Sequence, residues 1–97
     1  MSESRVLKTT ANRIAKKFNT EYIPGVGADV KTDHIAIKVV TPDTIVDGMR
    51  ELRGHRKPVY LAGTNKATVN AALDAIKGTT VGVMDSQGNI VEESKRK

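Results

Sequence analysis

The sequence predicts an α/β domain, a small mixed β-sheet flanked by helices, with elements in the order α-β-β-β-α-β-α-β. Three observations predict it. Apolar residues near the start recur at helical spacing, and the run His34-Ile35-Ala36-Ile37-Lys38-Val39-Val40 reads as a central strand. Later apolar runs alternate with helix-start signals, the pattern of strands joined by crossover helices. The 97 residues suffice for one modest core and not two, so residues 1–91 are read as a single domain and 92–97 as a charged tail.

The opening helix follows from Leu7, Ala11, Ile14 and Phe18, which fall on one face, while Lys8, Arg13, Lys16 and Lys17 fall largely outside it. Residues 21–23 then run into Pro24-Gly25-Val26-Gly27, a turn, and residues 29–31 and 34–40 read as extended. In the central strand Ile35, Ile37 and Val39 share one face and His34, Ala36 and Lys38 the other. Thr41-Pro42-Asp43 is a helix start, with a capping hydroxyl followed by Pro at the first helical position. Ile45, Met49 and Leu52 mark the inner face of that helix, and Gly54 its end. Residues 58–63 form a short apolar strand, after which Thr64 or Asn65 caps a third helix with Val69, Ala72, Leu73 and Ile76 inward and Gly78 as its C-terminal cap. Residues 80–84 make the last strand, Asp85-Ser86-Gln87-Gly88 turn, and Ile90-Val91 pair briefly. Such an order implies a sheet antiparallel at its start and parallel after the first crossover, with helices on both sides.

Composition narrows the function classes. Aromatics are only 3% of the chain, so the core must be built from Val, Ile, Leu and Ala. There is no cysteine, which excludes disulfides, thiolate metal sites and a cysteine nucleophile, and leaves His34 and His55 as the imidazoles. No apolar run approaches the roughly 20 residues needed to span a bilayer, and no signal-like stretch opens the chain. A cytoplasmic protein with no membrane partner is therefore expected. The net charge of +5 is concentrated in residues 1–18, with Arg5, Lys8, Arg13, Lys16 and Lys17, and in residues 50–57, with Arg50, Arg53, Arg56 and Lys57. Both clusters suit a polyanion, and both also suit plain solvation of exposed faces.

Gly27-Ala28-Asp29 leading into Ile35-Ala36-Ile37-Lys38-Val39, together with the order of elements, resembles the PD-(D/E)XK nuclease superfamily, which includes restriction endonucleases and archaeal Holliday-junction resolvases. The resemblance spans residues 5–84 and implies a restriction-endonuclease-like fold. In that family the motif's Asp and Glu hold magnesium, and the Lys two residues beyond the Glu helps orient or activate the attacking water. Asp29 matches the Asp and Lys38 the Lys, but Ala36 stands where the family has its central carboxylate. Ala28 replaces the motif's Pro, and the opening helix offers only Glu3 as an acid. The departure matters because magnesium needs hard oxygen ligands.

An acid from the following helix is a candidate replacement, and Asp47 and Glu51 share one side of it; an exposed face paired to Arg50 and Arg53 is the plainer account. Asp33 and His34 read as a polar turn. For Asp29 the alternative to ligation is a strand-end residue bonding local amides, and for Lys38 a snorkelling lysine. Gly25-Val26-Gly27 lacks a third glycine and a following helix, so it is a turn and not a phosphate loop. Gly63-Thr64-Asn65-Lys66 is explained by capping. No hydrolytic triad is supported, and Phe18, Tyr22 and Tyr60 supply little for base stacking.

The leading expectation is thus a DNA-binding protein whose contacts are Lys8, Arg13, Lys16, Lys17, Arg50, Arg53, Arg56 and Lys57, with a degenerate catalytic centre and no certain cofactor. The alternatives are an active Mg2+-dependent endonuclease or junction resolvase using Asp29, Lys38 and Glu51, with Asp29 as metal ligand and a homodimer as its working form, and a small interaction module with no nucleic-acid role.

Overall fold

In the computed structural model, which describes residues 5–23, 28–52 and 57–95, a five-stranded mixed sheet carries three helices. The elements are α1 (Arg5–Lys17), β1 (Val30–Lys31), β2 (Ala36–Val40), a 3-10 turn (Pro42–Thr44), α2 (Ile45–Glu51), β3 (Val59–Gly63), α3 (Lys66–Ala75), β4 (Gly82–Met84) and β5 (Ile90–Glu92). Strands lie in the order β1-β2-β3-β4-β5. The pairs β2/β3 and β3/β4 are parallel, and both edge pairs are antiparallel.

Strand alternation divides the core into two clusters. Ala36 and Val40 of β2, Val59 and Leu61 of β3 and Val83 of β4 pack with Ile45 and Leu52 of the α2 region and Val69, Ala72 and Ile76 of the α3 region. On the opposite face Ile37, Val39, Tyr60, Ala62 and Met84 pack with Ala11, Ile14 and Ala15 of α1. The sheet is therefore a filling between α1 and the α2/α3 pair, as the sequence predicts. Each fully buried Leu, Ile or Val contributes about 1.5–3 kcal/mol. Among the described residues no buried side-chain nitrogen or oxygen lacks a hydrogen-bond partner.

The observed order, α-β-β-α-β-α-β-β, differs from the expected α-β-β-β-α-β-α-β at both edges of the sheet, and several strands are shorter than expected. Residues 21–23 supply only an isolated antiparallel bridge, Tyr22 to Val30. In the β1–β2 turn the Thr32 hydroxyl accepts from the His34 and Ile35 amides at 3.0 Å each. That turn ends β1 after Lys31 and leaves His34 outside the strand. At the other edge the Asp85 carboxylate accepts from the Gln87 and Asn89 amides at 2.8 and 3.0 Å, closing a turn that sends β5 back along β4. The expected charged tail begins inside this strand at Glu92, and beyond it the Lys95 amide donates to the Thr80 carbonyl at 2.9 Å.

Helix ends follow local chemistry. The Asn65 side chain caps α3 by accepting from the Thr68 amide at 2.8 Å. Beyond α3, Gly78 adopts φ +80, a conformation that favours glycine. The Thr41-Pro42 signal starts a 3-10 turn, with the Thr41 amide donating to the Thr44 hydroxyl at 2.9 Å, before α2 begins at Ile45. The expected end of α2 at Gly54 lies outside the described residues; α2 stops at Glu51. Among the described residues no helix is long and apolar enough to cross a membrane.

Candidate functional site

The period-two geometry of β2 turns Lys38 toward the α2 side, between the buried Ala36 and Val40. Asp29 lies just before β1, opposite Lys38, because Val30 pairs with Ile37 and the Asp29 amide donates to the Ile37 carbonyl at 2.9 Å. The Asp29 carboxylate is buried. Its Oδ2 accepts from the Val39 amide at 3.0 Å, and its Oδ1 from the Lys38 ammonium at 3.4 Å.

The third member comes from α2. Glu51 Oε1 is 3.1 Å from Lys38 Nζ, so one ammonium is shared by two carboxylates. Gly48 makes that reach possible: a Cβ there would meet Val40 Cγ1 at 2.7 Å and both Leu61 Cδ2 and Lys38 Cγ at 3.2 Å. With hydrogen in place of a side chain, α2 lies directly on β2 and lowers its last turn toward Lys38. Asp29, Lys38, Asp47, Gly48 and Glu51 line a cavity of about 230 Å3, with Leu7 of α1 contributing to its wall.

Asp29, Lys38 and Glu51, the three predicted catalytic residues, thus converge. Asp47 borders the same cavity but pairs with Arg50 at 3.4 Å, both largely exposed, so the plainer reading of that helix face holds for Asp47 and not for Glu51. Ala36 is wholly buried in the α2/α3 cluster. No vacant space at that position awaits a ligand. As a donor set for magnesium the arrangement does not fit: the two carboxylates already close on an ammonium. Among the described residues no three His, Cys, Asp or Glu side chains are grouped to hold a metal ion. Asp33 and His34 are exposed in the β1–β2 turn, as the polar-turn reading holds.

The basic residues are spread over more than one face. Lys8, Arg13, Lys16 and Lys17 are exposed on α1. Two of them also tether the β4–β5 turn: Arg13 donates to the Ser86 carbonyl at 3.1 Å, and Lys17 to the Gly88 carbonyl at 3.1 Å and the Asn89 side chain at 2.8 Å. Arg50 belongs to α2, across the sheet from α1. Lys57 is half-buried and donates to the Thr32 carbonyl at 2.6 Å. Arg53 and Arg56 lie outside the described residues. Sequence reasoning did not foresee these tethers, since nothing in a lysine's neighbours names a carbonyl seventy residues away.

Against the same turn, Asp85 is buried enough for desolvation to raise its pKa, yet the amide bonds from Asn89 and Gln87, the Asn89 side chain and the Lys17 charge together hold it below its ordinary value of 3.8. Comparison with protein-family models finds no match, and comparisons with curated proteins and with solved structures find none either.

Proposed function

We propose that the protein binds DNA through the basic face of α1, on a restriction-endonuclease-like scaffold whose cleavage centre has become an ion-paired triad. The observation that carries this reading is the sharing of Lys38 by Asp29 and Glu51. In a cutting centre the carboxylates must be available to a divalent cation and the lysine to the scissile phosphate. Here the carboxylates and the lysine are engaged with each other, and the fully buried Ala36 supplies no further acid. Lys8, Arg13, Lys16 and Lys17, all exposed on α1, with a net charge of +5 for the chain, supply the attraction to phosphates.

A second reading, magnesium-dependent cleavage with Glu51 in place of the missing acid, requires Asp29 and Glu51 to release Lys38 first; what favours it is that Glu51 reaches the cavity that Asp29 lines. Fluorescence anisotropy on labelled duplex and four-way-junction DNA at two salt concentrations, followed by a denaturing gel of the magnesium end points, separates the two. Salt-sensitive binding with intact DNA supports the proposal. Cutting that disappears in Asp29→Ala and Glu51→Gln replaces it with the second reading, and no binding to either DNA refutes both.

A further inference from the structure

A larger concavity lies on the outer side of α1. After Lys17 the chain reverses: Asn19 takes a left-handed φ of 61, and the Thr20 amide donates to the Ala15 carbonyl at 2.9 Å. The returning segment is then fixed to the sheet edge. Thr20 Oγ1 donates to the Lys31 carbonyl at 3.2 Å, Tyr22 bridges to Val30, and the Ile23 amide donates to the Asp29 carbonyl at 2.9 Å. Held this way, residues 20–22 form a second wall facing the helix and enclose an open groove of about 690 Å3.

The two walls differ in chemistry. On the helix Asn12, Lys16 and Arg13, whose guanidinium also donates to the Ser86 carbonyl, supply an amide and two cations. Opposite them Thr20, whose hydroxyl donates to the Lys31 carbonyl, Glu21 and Tyr22, which is half-buried against the α1-side core, supply a hydroxyl oxygen, a carboxylate and part of an aromatic ring. A ligand matching both carries negative charge on one side and a flat ring with hydrogen-bond donors on the other. A free phosphate leaves the second wall unused. A duplex is a stiff convex rod, with its bases stacked inside it, and cannot enter a groove of small-molecule size. An unpaired nucleotide meets every requirement: its phosphate faces Arg13 and Lys16, its ring lies by Tyr22, and an exocyclic amine donates to Glu21 as cytosine N4 does to acidic side chains.

We propose that the groove between α1 and residues 20–22 receives unpaired nucleotides of a DNA strand, with cytosine and adenine favoured over thymine, which has no exocyclic amine. The inference rests on the DNA-binding reading, and specifies that the preferred DNA has a single-stranded tail or branch.

The test uses labelled hairpin duplexes, either blunt or bearing short tails of dC, dA or dT, titrated by anisotropy with the wild type, Glu21→Ala and Lys16→Gln. Both altered residues are exposed, and thermal melts establish that the variants fold. The dC and dA tails are expected to bind about tenfold more tightly than the blunt duplex, the gain expected from docking a base on an aromatic wall. Glu21→Ala should bring the dC and dA tails down to the dT level, and Lys16→Gln should weaken tailed DNA more than blunt. Equal binding of blunt and tailed DNA overturns the inference while leaving the DNA-binding reading intact. A tail advantage untouched by either substitution overturns its assignment to this groove, and no binding of any DNA overturns both.

Discussion

Replacing Lys38 by Met tests whether the triad is a coupled ionic unit. The Lys38 side chain is 14% exposed and that of Asp29 5%, so the substitution takes a cationic partner from a buried carboxylate that also accepts from the Val39 amide. Glu51, at 29%, rehydrates more readily. Removing one partner of a buried pair costs about 3–5 kcal/mol, and the partial exposure here argues for the low end, about 3 kcal/mol. For a domain of this size total stability is roughly 5–15 kcal/mol, so the loss is a large fraction of it. With a urea m-value of about 1–1.5 kcal/mol/M, the unfolding midpoint should fall by about 2 M. Asp29→Asn preserves shape and an acceptor for the Val39 amide and should cost less. The double variant should be more stable than the sum of the two losses predicts, by at least about 1 kcal/mol. An unchanged midpoint in Lys38→Met, or single effects that add within about 0.5 kcal/mol, would refute the coupling.

Gly48→Ala, favourable in an isolated helix, should instead destabilise by about 1–3 kcal/mol, because its Cβ meets Val40 at 2.7 Å and must lift α2 from β2; the Lys38–Glu51 coupling in a mutant cycle should shrink with it, and a raised melting temperature would contradict the packing. Asp85 makes a pH-dependent contribution. Its folded pKa lies below 3.8, so the stabilisation is fully present above the ordinary carboxylate range and is lost as pH falls through the folded value. The stability difference between wild type and Asp85→Asn, followed by urea unfolding from about pH 6 to about pH 2, should narrow on the acid side, and a constant difference would exclude the linkage.

Much of the architecture was legible because it depends on local periodicity. The alternation of residues 35–40 correctly assigned Ile37 and Val39 to one face and Ala36 and Lys38 to the other, and the spacing of Ala11 and Ile14 identified the buried side of α1. The sequence names Asp47 and Glu51 together as acids able to reach the position of Ala36, with an exposed face paired to Arg50 and Arg53 as the plainer account; Asp47 follows that account, whereas Glu51 closes on Lys38. What could not be read depends on distances between separate elements. A glycine within a helix does not reveal which strand it touches, so the role of Gly48 was invisible. The same holds for the Lys17 and Lys57 tethers and for the groove wall at residues 20–22. The shortened first strands reflect competition that propensity does not rank: Thr32 uses its hydroxyl to bond two amides, and the turn takes residues that their apolar neighbours assigned to a strand.

The triad also bears on where DNA would lie. The carboxylates of Asp29 and Glu51 close on the Lys38 ammonium, and a third carboxylate, Asp47, borders the same cavity at the sheet edge between α2 and the start of α1. A phosphate approaching Lys38 must compete with both carboxylates for the ammonium while being repelled by them, and in a partly buried cavity that repulsion is weakly screened. Along α1 the balance is reversed, with Lys8, Arg13, Lys16 and Lys17 exposed and no acidic residue between Arg5 and Lys17. Electrostatics therefore favours a polyanion on the outer face of α1 over one at the motif-like centre. An acid at position 36 and an acid at Glu51 would give the same charge count but not the same chemistry. A carboxylate on β2 would be fixed in the sheet beside Asp29, whereas Glu51 arrives on a helix from the far side of Lys38 and holds the lysine that a cutting centre would need for the phosphate. For this geometry to cleave, Glu51 must first release Lys38.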